Sequence, residues 1–299
     1  MNIHFQDKKL FDILNANSIV TIKVGSHLYN LDNEKSDTDF LTIYFENNQS
    51  FLWEHHQLQY KENGIDFNFT TIQNFIRNIL TGDATINFEV LFSEELKHSK
   101  LSFLYENRYH FINYHIIRSY LGLAKRDFKM IVKYTNNFKE FSADDFKKVS
   151  HFFRGFVFSN MLIDKTFDIT LNSTYLKYSL LKFNIINING NEFKNDYDFI
   201  KTVKNEGILI DENVIHFIKY TMEELENNRE FLNKMMENKQ FNKFMAIDMM
   251  KTIDESVMKV CKEYTYRSDY IGGMESELSG GIIKYGDLMY EALENGIIY

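Results

Sequence analysis

Apolar and polar residues alternate in three short segments of the first third of the chain and predict a small β-sheet. Residues 19–24 are rich in β-branched side chains, and residues 38–45 and 65–69 alternate between apolar or aromatic and polar positions. A period of two is typical of strands with one buried face. Ahead of these strands, residues 5–15 have the spacing of a short amphipathic helix.

A further helix is predicted directly after the third strand, and both of its ends are marked. The hydroxyl groups of Thr70 and Thr71 are N-cap candidates, and Gly82 fits the C-terminal stop of the helix. Apolar residues follow the caps at helical spacing, namely Ile72, Phe75, Ile76, Ile79 and Leu80.

Helical spacing dominates from about residue 100 onward. Ser142 with Asp145 resembles a capping box at the start of one of these helices. Apolar stripes predict four helices, around residues 120–132, 146–157, 214–225 and 244–257. These aromatic and methionine-rich stripes are typical of a packed core.

The pattern as a whole predicts an α+β chain with two domains. Residues 1–97 are expected to form a domain with a small mixed sheet, and residues 98–299 an all-helical second domain with a Gly-rich C-terminal segment. Six of the thirteen glycines lie within residues 272–296, which favours either a loosely ordered terminus or a mobile lid.

Composition narrows the classes of protein to consider. The formal net charge of −8 argues against a protein that coats nucleic acid, because such proteins are usually basic, although a local basic face can still bind an RNA end. The single cysteine, Cys261, excludes an internal disulfide and a thiolate zinc site. The sequence has no secretory signal pattern and no apolar run of membrane-spanning length, so a cytoplasmic protein without a membrane partner is expected.

Candidate chemistry is concentrated where the predicted strands begin and end. Gly25-Ser26 follows the first strand and is expected to open a helix, where backbone N–H groups can bind phosphate. Asp37 and Asp39 lie two residues apart at the start of the second strand, so their carboxylates point to the same face. A third carboxylate, Asp66, begins the third strand.

Two carboxylates that share a face, with no basic partner nearby in sequence, repel each other unless a cation lies between them. Mg²⁺ suits such a pair because it binds one or two carboxylates together with substrate phosphate oxygens. Asp66 is expected to reach a second metal ion or to act as general base. Each feature alone is common in acidic proteins, and only their order along the chain is specific.

That order resembles the signature of the DNA polymerase β-type nucleotidyltransferase superfamily. It is closest to a branch of predicted bacterial and phage nucleotidyltransferases known as RNA-ligase-associated proteins. Gly25-Ser26, Asp37-Thr38-Asp39 and Asp66 match the motif, and residues 82–92 and 148–154 resemble two later segments of the branch. Asn30 stands where the branch usually has glycine, and asparagine also tolerates a positive φ. Asp83-Ala84 replaces the usual Asn-Pro.

The resemblance implies a polymerase-beta-like catalytic domain that transfers NMP from an NTP, with ATP the expected one, to an acceptor hydroxyl. It implies Mg²⁺ or Mn²⁺ held by Asp37, Asp39 and Asp66, with the triphosphate on Gly25 and Ser26. It slightly favours an RNA end such as that of tRNA as acceptor. One alternative is NMP transfer onto a protein hydroxyl, and another is a non-catalytic nucleotide-binding module.

Basic residues outside the motif are further candidates for binding the nucleotide. His27 directly follows the Gly-Ser pair, and a capping or surface role is equally consistent with its position. On two predicted helices, basic residues recur on one face and can bind a triphosphate or an acceptor backbone, although such stripes are usually solvated surface. The stripes comprise Lys125, Lys129 and Lys133 on one helix and Lys147, His151 and Arg154 on the other.

Overall fold

The structure of the chain is a computed structural model. It describes residues 2–6, 8–34, 36–45, 57–82, 84–136, 140–187, 190–237 and 256. These residues divide into two compact units. The first unit includes residues 2–28 and 34–116, and the second includes residues 29–33 and 117–237.

The first unit is built on a five-stranded mixed sheet with the strand order β1-β4-β5-β3-β2. β1 pairs with β4, and β3 with β5, in parallel, while the other neighbours are antiparallel. The strands are β1 (Asn2–Phe5), β2 (Ser18–Val24), β3 (Thr38–Tyr44), β4 (Gln57–Glu62) and β5 (Ile65–Thr71). The α+β class with a small mixed sheet is therefore confirmed.

Along the chain, helices precede and follow the strands of this sheet. In the second unit, all the regular structure that is described is helical. Helix α6 begins with residues of the first unit and continues into the second. The helices are α1 (Lys8–Ala16), α2 (Ile72–Thr81), α3 (Thr85–Val90), α4 (Glu94–Lys97), α5 (Ser102–Glu106), α6 (Tyr114–Asn136), α7 (Ala143–Ile163), α8 (Lys177–Lys182), α9 (Asp196–Asn205) and α10 (Glu212–Glu237). Two 3₁₀ helices cover Gly25–Tyr29 and Arg108–Phe111.

The first unit departs from the sequence predictions in one helix boundary and in one additional strand. Phe5 belongs to strand β1, and the helix predicted over residues 5–15 begins only at Lys8. Strand β4 was not predicted at all. It is positioned by a two-residue turn, Asn63-Gly64, whose φ angles of 52° and 79° are those of a tight hairpin turn. The turn places Glu62 opposite Ile65 and thereby fixes the register of the whole hairpin.

Helix α2 begins and ends at the residues that the sequence predicted. The Thr71 hydroxyl accepts a hydrogen bond from the backbone N–H of Asn74 at 3.1 Å. Gly82 has a φ of +67° at the C-terminal end. A Cβ atom there would lie 2.6 Å from the carbonyl carbon of His115 and 2.8 Å from the nitrogen of Ile116. Glycine is thus required both by the left-handed conformation and by the close approach of the chain that begins α6.

Gly82→Ala is expected to destabilise the first unit by about 3 kcal/mol, because the left-handed conformation costs roughly 1–2 kcal/mol and the backbone must also move. Gly64→Ala is the matched control, since Gly64 has a φ of +79° but nothing within 4 Å of its Cβ position. Urea unfolding of both variants measures the difference. If both variants lost the same free energy of unfolding, the close approach of residues 115–116 to Gly82 would not contribute to stability.

The second unit is centred on aromatic side chains of α7. The predicted capping box at its start is confirmed, with Ser142 and Asp145 exchanging hydrogen bonds. The ring of Phe153 lies 4.9 Å from that of Phe217 in stacked orientation and 5.0 Å from that of Phe199. All three rings are fully buried, so α7, α9 and α10 share one core.

Several predictions lie outside the described residues. They concern the helix at residues 244–257, apart from Ser256, the Gly-rich segment at residues 272–296, and the single residues Asp83 and Cys261. Of the helices that the structure describes, none combines the length and the apolar character needed to cross a bilayer.

Candidate active site

Two of the three predicted carboxylates lie side by side on neighbouring strands. β3 and β5 pair in parallel with Asp39 directly opposite Asp66. Because adjacent strands are about 4.8 Å apart and paired residues point to the same face, the two carboxylates share one surface. Asp37 is exposed and lies one residue before β3, at the end of the strand that carries Asp39. The parallel register therefore brings together residues that are 27 positions apart in sequence.

Gly25 lies directly against this pair. Val24 is paired with Asp39 in the β2–β3 ladder, and Gly25 then turns away with a φ of +69°. A Cβ atom on Gly25 would lie 3.1 Å from Oδ2 of Asp39. The absence of a side chain lets the carboxylate pack against the backbone at the point where the sequence analysis expects phosphate to bind.

Ser26 and His27 follow in the 3₁₀ helix Gly25–Tyr29 and are partly buried. The helix expected to begin at Gly25-Ser26 is thus a 3₁₀ helix of five residues. So short a helix has little macrodipole, and any attraction for phosphate must come from individual N–H groups. Asn30, at the end of this helix, has a φ of +56°, so the positive φ considered for this asparagine is confirmed.

A lysine that no sequence motif marks lies against Asp66 of the carboxylate pair. Lys61 on β4 is the register partner of Asp66 on β5, and its Nζ lies 2.9 Å from Oδ1 of Asp66. The hydrogen bond and charge of Asp66 raise the pKa of Lys61, and the charges of Asp37 and Asp39 raise it further. Asp66 thus has a basic partner on the neighbouring strand.

The carboxylates at this place can be compared with the ligands that a divalent cation requires. In the part of the chain that the structure describes, no three His, Cys, Asp or Glu side chains are grouped so as to hold a metal ion. Mg²⁺ usually takes one or two carboxylates and completes its shell with water and substrate phosphates. Asp39 and Asp66 provide such a pair, and Asp37 is near enough to act on the charge of Lys61.

In the second unit, the basic stripe on α7 surrounds a histidine that is held neutral. Burial lowers the pKa of His151 to about 3, and the charges of Arg154 and Lys147 contribute. Arg126 on α6 and Lys204 on α9 lower it further. Cationic groups from three helices thus meet around one uncharged imidazole, which is an arrangement suited to attracting an anion.

The same cations also hold residues 29–33 in place. Cζ of Arg154 lies 4.3 Å from the centre of the Tyr29 ring. Nζ of Lys204 donates to the Leu31 carbonyl at 2.6 Å, and the Tyr197 hydroxyl donates to the Asn30 carbonyl at 2.7 Å. Helix α9 therefore fixes the segment that connects Gly25-Ser26 to the predicted carboxylates. No local sequence motif predicts this role of α9.

The basic residues predicted to form one stripe on α6 have different partners in the structure. Lys125 forms an ion pair with Glu226 of α10, with Nζ and Oε1 2.5 Å apart. Lys129 is exposed one helical turn further on. Arg126 is the α6 residue whose charge acts on His151. The structure thus brings His151 and Arg154 together with Arg126 and does not place Lys125 or Lys129 among the residues that act on this histidine.

Acid is expected to destabilise the chain through His151. In the unfolded chain, histidine binds a proton near pH 6.5, whereas the folded protein resists protonation down to about pH 3. Stability is therefore lost as the pH falls below about 6.5, by about 2 kcal/mol between pH 7 and pH 5. Urea unfolding at the two pH values should show this loss in the wild type and a correspondingly smaller one in His151→Gln.

His216→Gln is the control for that measurement, because His216 is an exposed histidine of the same unit. It should keep the wild-type difference between pH 7 and pH 5. If His151→Gln lost as much stability on acidification as the wild type, the buried, neutral state of His151 would be refuted.

Comparison with known proteins does not assign the chain to a family. No model of a protein family matches the chain, and no curated protein matches it significantly. The functional assignment therefore rests on the arrangement of the residues themselves, above all on the pairing of Asp39 with Asp66 beside Gly25.

Proposed function

We propose that this chain is a metal-dependent nucleotidyltransferase that transfers NMP from an NTP to an acceptor hydroxyl and releases pyrophosphate. One observation carries the proposal. The parallel register of β3 and β5 sets Asp39 beside Asp66, and Gly25 lies against Oδ2 of Asp39. Carboxylates that can hold a cation thus lie beside the glycine backbone at Gly25, in the order of the motif that resembles the DNA polymerase β-type superfamily.

In this proposal, Asp39 and Asp66 hold Mg²⁺ or Mn²⁺, and Asp37 completes the carboxylate set. A bound metal ion supplies neutralisation of the triphosphate and of the charge that develops during transfer. The backbone at Gly25 and Ser26 orients the triphosphate. The acceptor oxygen forms a bond to the α-phosphorus, the bond to the pyrophosphate oxygen breaks, and the acceptor proton passes to a carboxylate of this cluster.

The acceptor proposed is an RNA end, such as that of tRNA, and ATP is the proposed donor. The acidic chain carries a local concentration of cations on α6, α7 and α9, and their charges converge on His151. Such a group provides the charge that phosphodiesters require in a protein that is otherwise negative. In this proposal, Arg154 and Lys147 contact phosphate groups.

The test is incubation with each α-labelled NTP and Mg²⁺ or Mn²⁺, with tRNA, other RNA and cell protein offered in turn. Label on RNA with the wild type, and none with the double variant Asp37→Ala/Asp39→Ala, is the expected result. Asp12→Asn is the matched control, because Asp12 is an exposed aspartate on α1 of the same unit. Equal labelling by the double variant would refute the proposal, and label on protein alone would change only the acceptor.

A further inference from the structure

Lys61 is held opposite the carboxylate pair by the local geometry of the β4–β5 hairpin. The Asn63-Gly64 turn pairs Glu62 with Ile65, and the next pair along the ladder is Lys61 with Asp66. A shift of one residue would turn Lys61 to the other face of the sheet. Its ammonium is therefore near Asp66 because of the backbone register as well as through their mutual attraction.

The charge of Lys61 acts on the whole carboxylate set. Nζ lies 2.9 Å from Oδ1 of Asp66, and Asp37 and Asp39 also interact with it electrostatically. The adjacent cross-strand pair on the same face is neutral, with Gln59 donating to Asn68 at 2.7 Å. Lys8, another cation near β4, is paired with Glu62 instead, at 3.1 Å. Lys61 is thus a cation that offsets the repulsion among these three carboxylates.

We propose that Lys61 is a built-in counter-ion of the carboxylate cluster, which competes with the divalent metal ion and leaves Asp66 when the metal binds. This inference rests on the proposed function, because it assumes that Asp39 and Asp66 are metal ligands. The ammonium lies on an oxygen of Asp66, and a metal ion held by the same carboxylate must approach an oxygen to about 2.1 Å, so the two cations would compete for one small space.

Displacement of Lys61 requires little reorganisation of the protein. Its side chain is 69% exposed, so the ammonium can rotate into water and recover its hydration. Surface ion pairs are individually weak, whereas a divalent ion gains from several carboxylates at once.

The test is binding of Mn²⁺ to the nucleotide-free full chain, followed by the electron paramagnetic resonance signal of the free ion. Lys61→Met is expected to bind Mn²⁺ roughly tenfold more tightly than the wild type, since it removes a positive charge next to the site. Lys61→Gln, which also lacks the charge, should behave in the same way. Lys8→Met is the matched control and should stay within about twofold of the wild type.

A second measurement follows the metal-free protein, where loss of Lys61 leaves the carboxylates uncompensated. The melting temperature of Lys61→Met should be below that of the wild type without metal, and saturating Mn²⁺ should close the gap. Unchanged or weaker Mn²⁺ binding by both Lys61 variants, together with binding that Asp39→Asn abolishes, would overturn this inference and leave the proposed function standing. If neither the wild type nor any Lys61 variant bound Mn²⁺, the metal site itself would be refuted.

Discussion

Asp39→Asn is expected to slow NMP transfer by roughly a thousandfold, which corresponds to about 4 kcal/mol of transition-state stabilisation. Asp39 is the residue that contacts both parts of the candidate site. It is the register partner of Asp66, and its Oδ2 lies where a Cβ on Gly25 would approach to 3.1 Å. The amide keeps the shape of the side chain but removes the charge that, in the proposed function, holds a divalent cation.

The geometry also ranks the three carboxylates. Asp66→Asn should be nearly as damaging as Asp39→Asn, because the two residues are paired, whereas Asp37→Asn should cost less because Asp37 is exposed and lies before β3. Initial rates at saturating NTP, with Asp12→Asn as control, measure this order. Retention of activity by Asp39→Asn, or a loss confined to Asp37→Asn, would contradict the arrangement of the site proposed above.

The β4–β5 hairpin could have been predicted from the sequence, but strand β4 was not recognised. Asn63-Gly64 between alternating segments is a strong hairpin signal, and recognising it would have predicted β4 and the pairing of Lys61 with Asp66. The predicted third strand was nevertheless correct in position. Lys61 was missed as the charge partner of Asp66 because Asp66 was treated as the start of an isolated strand.

The cations around His151 illustrate a different limit. The α7 stripe follows from a spacing of three and four residues, and the sequence predicted it. Lys204 lies some 50 residues later in α9, and only the packing of α9 against α7 brings its charge to His151. Long-range helix packing depends on which faces meet, and single-sequence periodicity does not specify this. The ion pair of Lys125 with Glu226 on α10 likewise depends on long-range helix packing.

Asp196→Ala is expected to destabilise the second unit by about 3–5 kcal/mol, because three donors lose their acceptor in a buried place. Asp196 is the first residue of α9 and is fully buried. Its Oδ2 accepts from the Ser173 hydroxyl and from the backbone N–H of Tyr175, and its Oδ1 accepts from that of Leu176. Burial raises the pKa of Asp196, and these hydrogen bonds lower it in turn.

Asp196→Asn should also lose stability, since one of the two backbone N–H groups would then face an amide N–H. Asp198→Ala is the matched control, because Asp198 lies in the same first turn of α9 but is only partly buried, and it should cost about 0.5 kcal/mol. Urea unfolding measures all three variants.

The loss of stability in Asp196→Ala should extend to residues 29–33, because α9 carries the Tyr197 and Lys204 groups that hold the Asn30 and Leu31 carbonyls. Faster amide exchange in that segment for Asp196→Ala alone would connect the buried carboxylate to the chain that leads into the candidate site, whereas equal stability of Asp196→Ala and Asp198→Ala would contradict its role.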